Sequence, residues 1–334
     1  HKTFKRLISL TILLTLFSCE LTQDMITKDE YLKDYIFNFK HWGEREKSAA
    51  IILAIHGYND HSGSFKIPAN FFQKFNIYTT AFDLRGFGRN EDLGEWYPLS
   101  YHINDIKEKV LNLKKENPSK DIFLMGESMG GAILISLLNL EKNLPVEGVI
   151  LIAPAIWNFT ERNFFKSLSL NLLSKIFPNL SLSGKGVIKI KASNNQKMLK
   201  ELSEDPFFVH KPKIKSLHGV VELMDKSYND AILFFKKPPY KTLLLIPIID
   251  DIVPRKPLIE LLREPEINDN LGKMIDLAVY KSSYHMILRD INSELILRQI
   301  KDWTKNTEDN FIKNNYENSY KTLLNEPFYH ILDK

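Results

Sequence analysis

DIFLMGESMGGAILISLLNL, residues 121–140, decides the fold. Asp121 to Gly126 form a short apolar run that ends at a glycine, and Ala132 to Leu140 are apolar enough for a buried helix. Between them stands Gly126-Glu127-Ser128-Met129-Gly130-Gly131. This is a G-x-S-x-G motif, and a serine in it sits on a sharp strand-to-helix turn. The residues two places either side must then be small, and Gly126 and Gly130 meet that need. The hydroxyl stands clear of the sheet at a helix N-terminus, where the dipole favours negative charge. Ser128 is the candidate nucleophile.

Similar apolar runs flank this one: AAIILAI (49–55), IYTTAFD (77–83), VEGVILIAP (146–154), KTLLLIPII (241–249) and DLAVYKSS (276–283). They lack polar alternation, as strands buried on both faces do, which argues for a parallel sheet. YIFNFKHW (35–42) alternates better and predicts an antiparallel edge strand. Ile103, Ile106, Val110 and Leu113 share a helical face, so the spacing predicts a helix over 104–117, stopped by Pro118. A further helix is expected after His285, with Ile291, Leu295, Ile296, Ile300 and Trp303 on one side. Strand–helix alternation of this kind predicts an α/β fold, a mostly parallel sheet with helices on both faces.

Residues 155–236 break the alternation. The stretch opens with an aromatic-rich helical run holding Trp157, Phe164, Phe165, Leu168, Leu172, Leu173, Ile176 and Phe177, ended by Pro178. Insertions of this length are usually functional. Two readings stand: a cap over a binding site, or a helical subdomain whose aromatics fill its own core.

A serine hydroxyl needs a base and a carboxylate to orient that base. In a strand–elbow–helix fold the order is Ser, then Asp or Glu, then His. Of His210, His218, His285 and His330, only His285 follows a predicted strand and precedes the last amphipathic helix. The acid belongs at the end of the preceding strand, where KTLLLIPIIDDIVP offers Asp250 and Asp251. Asp250 is preferred because the D-x-I-V-P pattern starts there. Acyl transfer also needs donors for an oxyanion. The backbone N–H of Met129 is one candidate, and that of Tyr58, in the loop His56-Gly57-Tyr58-Asn59-Asp60-His61, is the other. His56 is expected to be structural, and the crowding of His56, Asp60 and His61 in one loop argues against a metal site.

The 334 residues, 44% hydrophobic and 26% charged, suit a globular chain rather than a disordered or repetitive one. The formal charge of +4 falls to +1 when Lys2, Lys5 and Arg6 are set aside, so there is no basic footprint for nucleic acid. Cys19 is the sole cysteine, which excludes an intramolecular disulfide framework and Cys-rich metal sites. Lys2, Lys5 and Arg6 precede an apolar stretch, Leu7 to Leu16, too short to span a bilayer, which takes ~20 residues. Residues 1–18 therefore read as a signal peptide. Leu16-Phe17-Ser18-Cys19 resembles a bacterial lipobox, with Phe17 where a smaller residue is usual. That resemblance implies a lipidated Cys19 and anchoring to a membrane of the cell envelope. Residues 19–34 read as a tether. The tail, 306–334, carries Phe328, Tyr329, Ile331 and Leu332, and either packs back as a terminal helix or hangs loose.

Together the blocks resemble the α/β-hydrolase superfamily, within it the monoacylglycerol lipase and lysophospholipase group, also described as serine-aminopeptidase-like hydrolases. HGYNDHSGSF (56–65) is similar to that group's HGxxEHSGRY segment. DLRGFGRN (83–90) is similar to D-x-x-G-x-G-x-S, with Asn90 where serine is common. GESMGG (126–131) matches without a gap, Pro154-Ala155 resembles the lead into the group's cap, and Asp205-Pro206 falls late in the cap. IIDDIVP (248–254) and SSYHMILRD (282–290) resemble the acid and histidine blocks, although Ile246-Pro247 stands where a His-Gly pair is usual. The resemblance spans about residues 35–305. It implies a serine esterase acting on a single-chain lipid such as monoacylglycerol or lysophospholipid, a cap serving as a lid over an acyl-chain channel, and no cofactor. An amidase, peptidase or short-ester hydrolase with the same Ser128, Asp250 and His285 is the alternative, and a non-catalytic surface lipoprotein is the third. Oligomeric state is not legible.

Overall fold

The computed structural model describes residues 35–182, 190–305, 312 and 315–330. The expected signal peptide, Cys19, the tether, Ile331 and Leu332 lie outside them. Among the described residues no helix is long and apolar enough to cross a membrane.

Seven strands form one sheet: β1 (Phe39–Trp42), β2 (Ala50–Ile55), β3 (Ile77–Phe82), β4 (Asp121–Glu127), β5 (Gly148–Ile152), β6 (Lys241–Ile249) and β7 (Ile275–Tyr284). Their spatial order is β1-β3-β2-β4-β5-β6-β7. Only β1 is antiparallel, pairing Phe39 with Phe82 and Trp42 with Thr79. The edge strand is thus half the expected length. Along β2, Ile51, Leu53 and Ile55 enter one core while Ala50, Ile52 and Ala54 enter another. Both faces are dry, which is why the run carries no polar alternation.

The first core is closed by α2 (Leu99–Glu116) and α3 (Met129–Leu140). The second is closed by α1 (Lys66–Phe72) and α10 (Ser293–Thr304). α2 begins five residues before the predicted start. Its buried face also holds His102 and Asp105, and two polar residues hide an apolar stripe. Asp105 is there because it takes a two-pronged contact from buried Arg85, at 2.8 and 2.9 Å. At the far end the Asn117 amide bonds back to the Leu113 carbonyl, just before Pro118. In α10 the expected face is corrected. Ile296, Leu297, Ile300 and Trp303 are buried, but Ile291 and Leu295 are exposed. Ile291 precedes the helix, and Leu295 lies about 100° round from Ile296.

Between β5 and β6 the chain makes α4 (Phe159–Arg162), α5 (Phe164–Ile176), α6 (Gln196–Glu204) and α7 (Ile214–Lys236), followed after β6 by α8 (Lys256–Leu262) and α9 (Pro265–Asn268). α5 coincides with the predicted aromatic run, but its side chains do not fill a private core. Phe164, Leu168, Leu172, Ile176 and Phe177 are exposed, and Phe165 is 80% exposed. Only Trp157, ahead of the helix, is buried. α7 belongs largely to the main body, with Leu223, Ala231, Phe234 and Phe235 in the first core. The tail packs back through α11 (Tyr316–Asn325), which buries Leu323. Arg255 then donates to the Glu326 and Pro327 carbonyls.

Candidate active site

Ser128 sits between β4 and α3 with φ 54° and ψ −116°. A side-chain-bearing residue held there costs about 1–3 kcal/mol, so its surroundings must over-determine it. The Ser128 N–H donates to the Ile152 carbonyl at 2.9 Å, and the Ser128 carbonyl accepts from Ala155 N–H at 3.0 Å. The end of β5 therefore clamps the turn from both sides. A Cβ on Gly126 would lie 2.6 Å from the Gly130 carbonyl carbon, and one on Gly130 would lie 2.2 Å from the Ile55 oxygen. Both positions require glycine because backbone passes where a side chain would be. Met129 opens α3, so its N–H is among those that a helix leaves without an intrahelical acceptor.

The loop after β2 runs past the serine. A Cβ on Gly57 would stand 3.3 Å from Ser128 Cβ and 3.9 Å from Oγ, so the loop runs against the serine at Gly57, one residue before Tyr58. The loop's shape is set by bonds to DLRGFGRN. Asp83 accepts from Ser62 N–H at 2.7 Å and from Arg89 N–H at 2.8 Å. The Asn90 amide donates to the Asp83 and Leu84 carbonyls. His56 is structural: its Nε2 accepts from Leu84 N–H at 3.0 Å, so Nδ1 donates to the Gly57 carbonyl at 2.9 Å. Its burial holds the imidazole below its ordinary pKa, consistent with a neutral ring.

The ends of β6 and β7 deliver the candidate acid and base. Their register shifts between Pro247 and Ile249, and Asp250 follows at once. Its Oδ1 accepts from the N–H groups of Ile252 and Val253, at 2.7 and 2.9 Å. Its Oδ2 accepts from His285 Nδ1 at 2.8 Å. Both residues are buried, His285 4% and Asp250 6% exposed. Asp251 accepts from Lys191 N–H instead, so Asp250 is the carboxylate paired with His285. Burial alone would lower the His285 pKa. The Asp250 carboxylate outweighs it and holds the ring above its ordinary value. The remaining histidines lie apart from this pair. His210 bonds the Asp205 carbonyl, His218 neighbours Glu222, and His330 packs edge-on against Trp157.

Three charged residues to which the sequence pattern assigns no role lie near Ser128 and His285 in the chain or in the Tyr58 loop. Arg289 Nη2 lies 2.8 Å from Asp60 Oδ2 and 3.1 Å from Glu127 Oε2. All three are buried. Arg289 belongs to the histidine segment, Asp60 to the Tyr58 loop, and Glu127 immediately precedes Ser128. One guanidinium thus binds three segments of the site. Burial raises the Glu127 carboxyl despite Arg289, and the two acids hold Arg289 charged against burial. Removing one member of such a buried set costs about 3–5 kcal/mol. The available signal was Glu127 itself, a charge at the end of an otherwise apolar strand.

A family profile described as "Serine aminopeptidase, S33" matches residues 46–292. The chain belongs to this family. It is a serine hydrolase with the α/β-hydrolase fold. The rat (Rattus norvegicus) monoglyceride lipase is 27% identical over 275 residues, covering 80% of this chain and 86% of that protein. Phospholipase YtpA of Bacillus subtilis is 22% identical over 194 residues, 58% of this chain and 74% of that one. The solved monoacylglycerol lipase of Paleococcus ferrophilus superposes with a TM-score of 0.66 at 23% identity, covering 80% of this chain and 98% of that one. A soluble variant of the Saccharomyces cerevisiae monoglyceride lipase, solved with a substrate analogue, gives 0.67 at 19% identity, covering 81% and 91%. The profile takes in the Tyr58 loop, the elbow, the acid loop and the histidine loop, and it stops short of α10 and the tail.

In the general-base role proposed for His285 below, the ring must be neutral to accept a proton, and Asp250 raises its pKa, so hydrolysis is expected to fall as pH drops through that raised value. In Asp250→Asn the burial remains and the carboxylate is gone. The acid limb of kcat/KM then moves to lower pH and kcat falls by roughly 10⁴. Rates of ester cleavage across pH 5–9 check this, and an acid limb unmoved by the substitution would contradict it.

Proposed function

We propose that the protein hydrolyses carboxylic esters of single-chain lipids, such as monoacylglycerol or lysophospholipid, through an acyl-enzyme on Ser128. The observation that carries the reading is the buried Asp250–His285 hydrogen bond, on the loops after β6 and β7, together with the strained Ser128 turn after the parallel β4. His285 Nε2 takes the Ser128 proton as Oγ bonds to the ester carbonyl carbon. The N–H groups of Tyr58 and Met129 receive the oxyanion, and one such donor is worth ~2.7–4 kcal/mol of the barrier. Collapse breaks the ester C–O bond, and His285 returns the proton to the departing alcohol. A water deprotonated by His285 then attacks the acyl-enzyme, releasing the fatty acid and restoring Ser128. Asp250 keeps the imidazole in the tautomer that leaves Nε2 free to accept, and stabilises the imidazolium.

Two observations support a lipid substrate. Several relatives bear the names monoglyceride lipase or phospholipase. α5 presents an apolar face of Phe164, Phe165, Leu168, Leu172 and Ile176 to solvent, and an exposed patch of that kind marks an interaction surface. We further propose that Cys19 is lipidated and holds the enzyme on a membrane of a bacterial envelope. Expressed in a bacterium that processes lipoproteins, the protein sediments with membranes and Cys19→Ser moves it to the soluble or precursor pool. An unchanged distribution would remove the anchor.

The substrate assignment is tested with chromogenic esters of two to sixteen acyl carbons, a monoacylglycerol and a lysophospholipid, with Ser128→Ala alongside. The expected result is Ser128-dependent cleavage that favours medium or long chains, with a loss of about 10⁴ or more in kcat for the alanine variant. Cleavage confined to short esters or to aminoacyl amides would replace the lipid assignment. Activity that survives Ser128→Ala would remove the mechanism.

A further inference from the structure

The loop that brings Tyr58 to the nucleophile is gripped on its outer side by the insertion. Tyr58 Oη lies 3.0 Å from the hydroxyl of Ser216, in the first turn of α7. The Asn59 carbonyl accepts from Val209 N–H at 2.9 Å. His61 Nε2 lies 2.9 Å from Asp205 Oδ2. Gly63 N–H donates to His61 Nδ1 at 3.0 Å, so Nε2 carries the proton and donates to Asp205. Phe207 packs edge-on against the His61 ring, and the Arg89 guanidinium lies over Phe207 at 4.1 Å. Lys213 and Lys215 both pair with Glu95. The neighbouring Trp96 ring packs edge-on against Tyr58. Trp96 is seated on α7 so closely that a Cβ on Gly219 would come within 2.0 Å of its indole nitrogen.

These contacts differ in kind from those of a lid that only shelters an acyl chain. They are directional hydrogen bonds, and three of them fall on Tyr58, Asn59 and His61. Asn59 has a φ of 65°, a conformation that the loop does not hold for free. The apolar face of the insertion is elsewhere, on α5.

We infer that the stretch Asp205–Ser216 of the insertion positions the oxyanion donor at Tyr58. Asp205 and Ser216 are positioning residues, acting through His61 and the Tyr58 ring, and the insertion therefore governs the chemical step as well as substrate binding. The inference rests on the Ser128 acyl-enzyme reading and deepens it.

The test uses the full chain in detergent and an acetyl ester, whose two-carbon acyl group is too short to need an acyl channel, beside a long-chain ester. Active enzyme is counted by titrating Ser128. Asp205→Ala and Ser216→Ala each lower kcat for the acetyl ester by about 10-fold, and the double variant by about 100-fold, set against the 10²–10³ that outright loss of a donor costs. KM for the acetyl ester stays within about two-fold, and the loss in kcat is the same for the long ester. The inhibition constant of methylboronic acid, whose tetrahedral adduct occupies the oxyanion site, rises in the same proportion. Asp205→Asn, which keeps an acceptor for His61, recovers part of the loss. Tyr58→Phe reproduces the Ser216→Ala effect with the smallest change in packing, should an alanine variant fold poorly. Asp225→Asn is the control, because Asp225 bonds Thr160 within the insertion and touches nothing on the loop. An unchanged acetate kcat and boronate constant, with KM raised only for the long ester, would overturn the inference and leave the insertion as an acyl-chain cover. Hydrolysis independent of Ser128 in the otherwise wild-type protein would instead overturn the reading beneath it.

Discussion

A serine forced into a positive-φ backbone turn at the C-terminal end of the sheet's central strand is the constraint on which the rest depends. The turn is unfavourable by itself, and the fold holds it by leaving no alternative. The last residue of β5 supplies a carbonyl and Ala155, just beyond it, an amide to the two ends of Ser128, and those groups are in place because β4 and β5 are parallel neighbours. The glycines at 126 and 130 let β2, β4 and α3 close to backbone contact. Gly57 continues the same close packing into the Tyr58 loop. The Ser128 turn, the N-terminus of α3 and the loop at Gly57 lie together because of how the strands are packed, and no one segment carries the site.

Charge does the second part of the work. The charged groups around the site are buried, and the main ones are paired with each other. Arg289 joins the elbow, the Tyr58 loop and the histidine segment. Asp250 spends one oxygen on its own loop and the other on His285. Asp290, next to Arg289, accepts from Ser193 and from the amides of Asn194 and Tyr284, tying the histidine loop to the insertion. In a low-dielectric site such networks are costly when incomplete and rigid when complete. Rigidity is what a preformed oxyanion site requires. Asp205 and Ser216 extend the hydrogen bonding outward to the Tyr58 loop, the contacts on which the proposed bracing of the donor rests.

Much of this was legible in the sequence, for physical reasons that also mark the limits. Ser128, Gly126 and Gly130 were readable because a strained turn restricts residue type at fixed spacing. The parallel sheet was readable because strands dry on both faces lose their alternation. Asp250 and His285 were expected from chain order and loop position, and the Oδ1 bonds to Ile252 and Val253 explain why the acid opens the D-x-I-V-P pattern. Periodicity failed where polar residues are buried for a partner distant in sequence. No local pattern pairs Asp105 with Arg85, or Arg289 with Asp60 and Glu127. It failed in the opposite sense at α5. An amphipathic run predicts a buried face, yet Phe165 and Leu168 face solvent, since spacing records that a helix has an apolar side and says nothing of what meets it.

The central claim is that Ser128 is the nucleophile of an esterase that accepts a long acyl chain. The most direct measurement is to treat the active protein with a long-chain alkyl fluorophosphonate and locate the adduct by peptide mass mapping. The account predicts stoichiometric loss of lipid-ester hydrolysis with a single phosphonylated residue, Ser128, and no labelling in the Ser128→Ala variant. An adduct on another residue, or full hydrolytic activity in protein labelled at Ser128, would contradict it.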